Sequence, residues 1–148
     1  MKKINIGING FGRIGRTLFR LLQQHANLNV VAINDLADSK TLAHLLKYDS
    51  IHGVFSGAIT FNENEIIVND KAICITNHNT PKDIRWNKHN VDLVIEASGK
   101  FKTKEDLNHH IINGAKKVIL SVPPEDNEIK MIVYGINHYD ITNNDNII

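Results

Sequence analysis

Apolar residues recur along the chain in two alternating rhythms. Compact apolar runs lie at Lys3–Ile8, Leu28–Asn34, Val91–Ala97 and Lys117–Val122, each closed by a glycine turn, an acid or a proline pair. Runs of this length with such punctuation read as buried strands. Between the first two, Arg13–His25 changes to a helical period. Ile14, Leu18, Leu21 and Leu22 fall on one apolar face, with Arg16, Arg20, Gln23 and Gln24 elsewhere. Ser39–Lys47 repeats the pattern with Leu42, Leu45 and Leu46, Ser39 being the candidate cap. Thr103 is placed to cap a third helix reaching about Asn113. Asp106 is its short capping-box partner and Gly114 its C-cap.

The first strand, helix and second strand together have the size of one βαβ unit. A right-handed crossover makes the two strands parallel neighbours, so their carboxyl ends face one crevice. From Ala58 to Thr76 the period shortens. Ile66-Ile67-Val68, the turn Asn69-Asp70 and Ala72–Thr76 read as an antiparallel insertion. Tyr48–Gly57 reads as a loop, and Pro81 opens a single helical turn ahead of Trp86. Met131–Tyr134 reads as a further short strand, and Asn137–Asn146 as a polar, turn-rich stretch. The closing Ile147-Ile148 reads as a strand entering the core, as though the chain were cut there.

Chemistry concentrates at the first strand-to-helix turn. Gly10-Phe11-Gly12-Arg13-Ile14-Gly15 has the spacing G-x-G-x-x-G, and Asp35 follows about 20 residues after Gly15, at the end of the second strand. Gly10 permits the tight turn, Gly12 lets a pyrophosphate approach the backbone, and Gly15 lets the helix pack close to the sheet. Free N–H groups at the helix start face the phosphates, and the Asp35 carboxylate can accept from ribose hydroxyls. A strand before, a helix after and an acid at this distance make the motif far more specific than its glycines alone. The expected fold is α/β: a Rossmann-type, doubly wound, mostly parallel sheet with a small antiparallel insertion. A single domain spans 1–148.

Bulk properties narrow the partners. Of 148 residues, 42% are hydrophobic and 22% charged, and the net charge is +1 with Lys and Arg scattered. This suggests no nucleic-acid or membrane footprint, and no apolar run approaches membrane-span length. A single cysteine, Cys74, excludes an intramolecular disulfide and fits a reducing, cytoplasmic setting.

Longer stretches carry a resemblance. Ile8-Asn9-Gly10-Phe11-Gly12-Arg13-Ile14-Gly15-Arg16, Asn34-Asp35, Leu46–Gly53, Glu96-Ala97-Ser98-Gly99-Lys100-Phe101 and Gly114–Ser121 together resemble the glyceraldehyde-3-phosphate dehydrogenases. The resemblance implies the NAD-binding half of a phosphorylating enzyme that oxidises glyceraldehyde 3-phosphate to 1,3-bisphosphoglycerate by hydride transfer to NAD. It also implies that the catalytic domain, with its nucleophilic cysteine, is absent from this chain, so no catalytic residue is assigned and the fragment alone is expected to be inactive. The implied cofactor-binding set is Asn9, Gly10, Phe11, Gly12, Arg13, Ile14, Gly15, Asn34, Asp35, Asn79, Ser98, Gly99, Phe101 and Ser121. Within it, the backbone of Arg13 and Ile14 matches the pyrophosphate contact, and Asp35 the adenosine ribose. Ser98, Gly99 and Phe101 match the ribose-side loop, and Ser121 a serine near the nicotinamide. Asp35 favours NAD over NADP, because a 2′-phosphate beside a carboxylate costs several kcal/mol. Asn79 departs from the Arg usual at this position. The family's homotetramer implies self-association. Erythrose-4-phosphate dehydrogenase shares these motifs but typically carries Glu where this chain has Asp35, and a non-catalytic NAD-binding module is the other alternative.

The remaining conspicuous residues have plainer readings. Cys74, between Ile73 and Ile75, reads as core filler. His109 and His110 are adjacent on a helix, about 100° apart, and cannot clamp one ion as an i, i+4 pair does. They read as a solvated helix face. His52 reads as a surface hydrogen-bonder, and Lys102, Lys104, Glu105 and Asp106 as a helix N-terminal surface.

Overall fold

A computed structural model describes residues 3–148. Strand β1 (Ile4–Asn9) leads through the glycine turn into α1 (Arg13–Leu22), which returns to β2 (Leu28–Asn34). β1 and β2 pair in parallel, with one register shift between Ile6 and Gly7. Helix α2 (Ser39–Lys47) follows. Its N-cap is Asp38 rather than Ser39, because the Asp38 carboxylate reaches the Thr41 N–H at 2.7 Å. The Thr41 side chain, and then this N–H, hold the carboxyl of Asp38 below its ordinary range.

The stretch expected as a loop contains a short antiparallel pair, β3 (Tyr48–Asp49) with β4 (Gly53–Val54). The antiparallel insertion is present as β5 (Ile59–Phe61), β6 (Glu65–Val68) and β7 (Lys71–Thr76). Asn69 and Asp70 turn β6 into β7 at φ +49° and +65°, the left-handed pair a two-residue hairpin needs. β7 then pairs in parallel with β2, so the insertion extends the main sheet. β8 (Leu93–Glu96), α3 (Lys104–Ile112) and β9 (Lys117–Leu120) complete the other side. The seven-stranded order is β5-β6-β7-β2-β1-β8-β9.

Two apolar layers cover the sheet. Phe19 of α1 and Leu42, Ala43 and Leu46 of α2 pack with Ile6, Ile8, Val30 and Ile33 on one face. Trp86, Val91, Val94, Leu107 of α3 and Val118 fill the other. Helices on both faces are what a doubly wound sheet requires. The buried face of α1 differs from the expected one. Gly15 and Phe19 are buried, with Leu18 and Leu22 beside them, while Ile14 and Leu21 are half exposed. Phe19 wins because its ring meets Phe11 edge-on at 5.7 Å. Full burial of such a side chain contributes about 1.5–3 kcal/mol. On α3, Thr103 accepts from the Asp106 N–H as its cap, and Gly114 follows the helix at φ +113°.

Met131–Tyr134 forms no strand. Met131, Val133, Tyr134 and Ile136 are exposed, and the backbone there turns, with Ile136 and Asn137 both donating to the Val133 carbonyl. Ile147 does bridge Val118 in parallel, at the edge beside β9.

Gly7 sits inside β1 because Trp86 lies against it. A Cβ at Gly7 would fall 2.7 Å from the indole Cζ3. Replacing a strand glycine by alanine ordinarily gains about 0.5–1 kcal/mol, but overpacking a filled core costs about 1–3 kcal/mol. Gly7→Ala is therefore expected to lower the urea unfolding midpoint. An unchanged or raised midpoint would show that the Trp86 layer yields.

Candidate functional site

β7, β2, β1 and β8 run parallel side by side and end in Thr76, Asn34, Asn9 and Glu96. All four are polar, at positions where the apolar strand pattern stops. Just beyond them a crevice opens, lined by Asn9, Gly10, Gly12, Asn34, Asp35, Leu36, His78, Asn79, Ala97, Ser98, Lys100 and Phe101. The outer carboxyl edge of a parallel sheet, where helices depart to opposite faces, is the usual ligand position in such folds.

The glycine turn shapes one wall. Gly10 has φ +91°, and a Cβ there would fall 2.5 Å from the Ser98 backbone. Gly15 packs under the Gly10 carbonyl, where any Cβ would collide. Gly12 is the N-cap of α1, extended and without a side-chain cap, and a Cβ there would meet nothing within 4 Å. That open space, in front of the uncapped first turn, fits a diphosphate. Asp35 faces it from β2. Its Oδ2 accepts the Phe11 N–H at 2.7 Å and its Oδ1 the Ala37 N–H at 3.0 Å. Each oxygen keeps a further lone pair for an incoming hydroxyl.

Of the expected residues, Asn9, Gly10, Gly12, Asn34, Asp35, Asn79, Ser98 and Phe101 line this crevice. Arg13 and Ile14 form the first turn of α1 with exposed side chains. Phe11 is a core residue whose amide alone faces Asp35. Gly99 is exposed beyond Ser98 at φ +72°. Ser121 lies one strand further along. Its amide donates to the Glu96 carbonyl, and its side chain borders an apolar groove with Val122, Pro123, Met131 and Tyr134. Its buried hydroxyl has no partner among the described residues.

Beneath the crevice runs a chain of buried and half-buried hydrogen bonds. Asn34 accepts from the Thr76 hydroxyl at 2.8 Å and the His78 amide at 2.9 Å, and donates to the His78 carbonyl and to Asn9 Oδ1. Asn9 Nδ2 donates to Glu96 Oε2 at 2.5 Å. The same oxygen lies 2.9 Å from His110 Nε2, and His110 Nδ1 accepts the Trp86 indole N–H at 2.8 Å. Glu96 Oε1 accepts from the Ser98 amide and hydroxyl. Glu96, His110 and Trp86 are fully buried.

His110 thus corrects the expectation of a solvated helix face. It faces the core from α3, and both ring nitrogens are committed. Period alone could not show this, since neighbouring His109 is only partly buried. His78, Leu36 and Lys100 were also missed as crevice residues. His78 follows β7, which read as part of a separate insertion and not as a strand ending at the site. Glu96 carried one local signal: an acid ending an otherwise apolar strand. Cys74 lies on β7, packed beside the second core layer, and burial, then the Glu65 charge, pushes its thiol up. It has no feature of an activated nucleophile. His52 is exposed, 3.2 Å from Asp49. Lys102 and Lys104 pair with Glu125 and Glu128 at the surface.

A glycine cradle at a helix start, facing an acid across parallel strand ends, defines a dinucleotide-binding domain. Residues 4–104 match the family described as glyceraldehyde 3-phosphate dehydrogenase, NAD binding domain, and the chain belongs to that family, with NAD as its cofactor. It is 43% identical over 147 residues to glyceraldehyde-3-phosphate dehydrogenase of Mycoplasma pneumoniae, covering 99% of this chain and 44% of that protein. With the Buchnera aphidicola enzyme of the same name it shares 52% over 134 residues, 90% of this chain and 40% of that protein. With that of Geobacillus stearothermophilus it shares 46% over 134 residues, with the same coverage. The chain therefore spans less than half the length of these relatives.

Two glycine variants separate folding from ligand space. Gly10→Ala is expected to destabilise the fold, through positive φ and contact with Ser98. Gly12→Ala is expected to keep stability within about 1 kcal/mol while weakening NAD binding at least about tenfold. Calorimetry of both, with thermal melts, checks this. Full NAD affinity in Gly12→Ala would place the diphosphate elsewhere.

Proposed function

We propose that this chain is the nucleotide-binding half of a phosphorylating glyceraldehyde-3-phosphate dehydrogenase, with residues 1–148 as one NAD-binding domain. The observation that carries the reading is the open face of Gly12 opposite Asp35. In this arrangement the amides of the first turn of α1, including those of Arg13 and Ile14, hold the diphosphate. Asp35 takes the adenosine ribose, and Asn79 flanks the adenine. Asn79 cannot stack as a guanidinium would, so its contribution is limited to polar contact. Ser98, Gly99 and Phe101 belong to the loop beside the adenosine and the nicotinamide ribose, and Ser121 stands toward the nicotinamide. When bound, the nicotinamide supplies the hydride acceptor. The side chains of this chain bind and orient it. Cys74, on a strand with a raised thiol, supplies no nucleophile, so these residues alone are inactive in aldehyde oxidation. A cytoplasmic setting goes with this reading. The relatives named above give no support to a tetrose phosphate substrate.

The charge of Asp35 predicts cofactor choice. The chain is expected to bind NAD and to discriminate against NADP. Asp35→Ala is expected to weaken NAD binding and narrow that margin, since it removes both the hydroxyl acceptor and the repulsion of a 2′-phosphate. Titration calorimetry with both nucleotides checks this. No binding of NAD at millimolar concentration would sink the reading, and unchanged selectivity in the variant would remove Asp35 from the ribose.

Met131, Val133, Tyr134, Ile136 and Tyr139, closely spaced in sequence, all expose apolar side chains, beyond what single surface residues explain. We therefore expect the chain to self-associate, with an apparent mass by light scattering that rises with concentration. A monomer at all concentrations would contradict this.

A further inference from the structure

We infer that Glu96 is a positioning residue for the nucleotide crevice: a buried carboxyl group whose acceptor oxygens orient the loops on both sides of the site. The inference rests on the crevice being the NAD site. It follows from the direction of each hydrogen bond. On one arm the polarity is set by the main chain at His78. That residue's N–H can only donate and its C=O can only accept, which fixes the amide of Asn34. Asn34 Nδ2 must then donate to Asn9 Oδ1, which turns Asn9 Nδ2 toward Glu96. On the other arm the Trp86 indole can only donate, so His110 Nδ1 is bare and Nε2 carries the proton toward Glu96. The Ser98 amide, also an obligate donor, reaches the second oxygen. Three donors of fixed direction converge on one side chain, and a carboxyl group answers all of them where an amide cannot.

This makes Glu96 the meeting point of three crevice-forming segments: Asn9 before the glycine turn, Ser98 in the loop after β8, and His78 through Asn34. Trp86 and His110 do not line the crevice, yet they share its hydrogen-bond polarity. A glutamine at 96 has the same shape but presents an NH2 to at least one of these donors. Neither arm can reverse, because each ends in a group that cannot change role. An aspartate keeps both acceptor oxygens at the cost of reach and packing.

The test uses the full chain. Trp86 is its single tryptophan, so the indole N–H gives one assignable resonance. In the wild-type chain His110, identified by loss of its signals in His110→Gln, is expected in the Nε2–H tautomer by ring nitrogen shifts. The Trp86 indole resonance is expected to move on saturation with NAD. Glu96→Gln, checked as folded by circular dichroism at the titration temperature, is expected to weaken NAD binding about tenfold or more, and Glu96→Asp to weaken it less. The opposite order would show that shape and not polarity matters, and would overturn the inference. So would a Glu96→Gln variant binding within twofold of wild type. If Glu96→Gln does not fold, the wild-type spectra decide: an Nδ1–H tautomer or an indole signal unmoved by saturating NAD overturns the inference. Failure of the wild-type chain to bind NAD would instead bring down the nucleotide reading, and this inference with it.

Discussion

A carboxyl group at the end of a sheet strand, fully shielded from water, is costly unless its oxygens are met. Glu96 is such a group, and it receives four hydrogen bonds: from Asn9, His110, and the amide and hydroxyl of Ser98. The ends of β1, β2, β7 and β8 are held in line by this carboxylate and the amides that lead to it. The crevice is the outer surface of that line. Its floor is therefore a satisfied hydrogen-bond network, and networks of this kind specify one geometry when complete.

The two faces of the sheet bring different things to the site. The face covered by α1 and α2 supplies the glycine turn and Phe11, whose amide ties Asp35 back to the turn. The opposite face supplies Trp86 and α3, and through His110 it reaches the same carboxylate. Gly7 joins the two, since only a residue without a side chain lets β1 pass beneath the indole. Packing on one face and polarity at the strand ends are thus parts of one arrangement. The crevice inherits its shape from both.

Much of the site was legible because its parts are local. Gly10, Gly12, Gly15 and Asp35 occur at spacings set by one strand–helix–strand unit, and spacing survives in the sequence. The limits of α2 and the Asn69-Asp70 turn were legible for the same reason. Where expectation and structure part, a distant neighbour decided. Leu21 lost its place on the buried face of α1 to Phe19, which found the ring of Phe11. Met131–Tyr134 has a strand's composition, but its backbone closes on itself. His110 looked like its half-buried neighbour His109 because helical position alone cannot show which of two adjacent histidines meets a tryptophan.

Taken by itself, the sequence determined the α/β class, the order of the first crossover, the glycine turn and the acid opposite it. Each rests on residues a few positions apart or on a spacing the backbone enforces. The tertiary structure alone decided that β7 joins the parallel sheet and that His78 reaches the crevice. It also decided that Glu96 is buried among donors drawn from a strand, a loop and a helix. Asn9 and Glu96 are 87 residues apart in the chain and 2.5 Å apart in space. No periodicity encodes a bond of that kind, because it exists only once the strands that carry its two ends lie side by side.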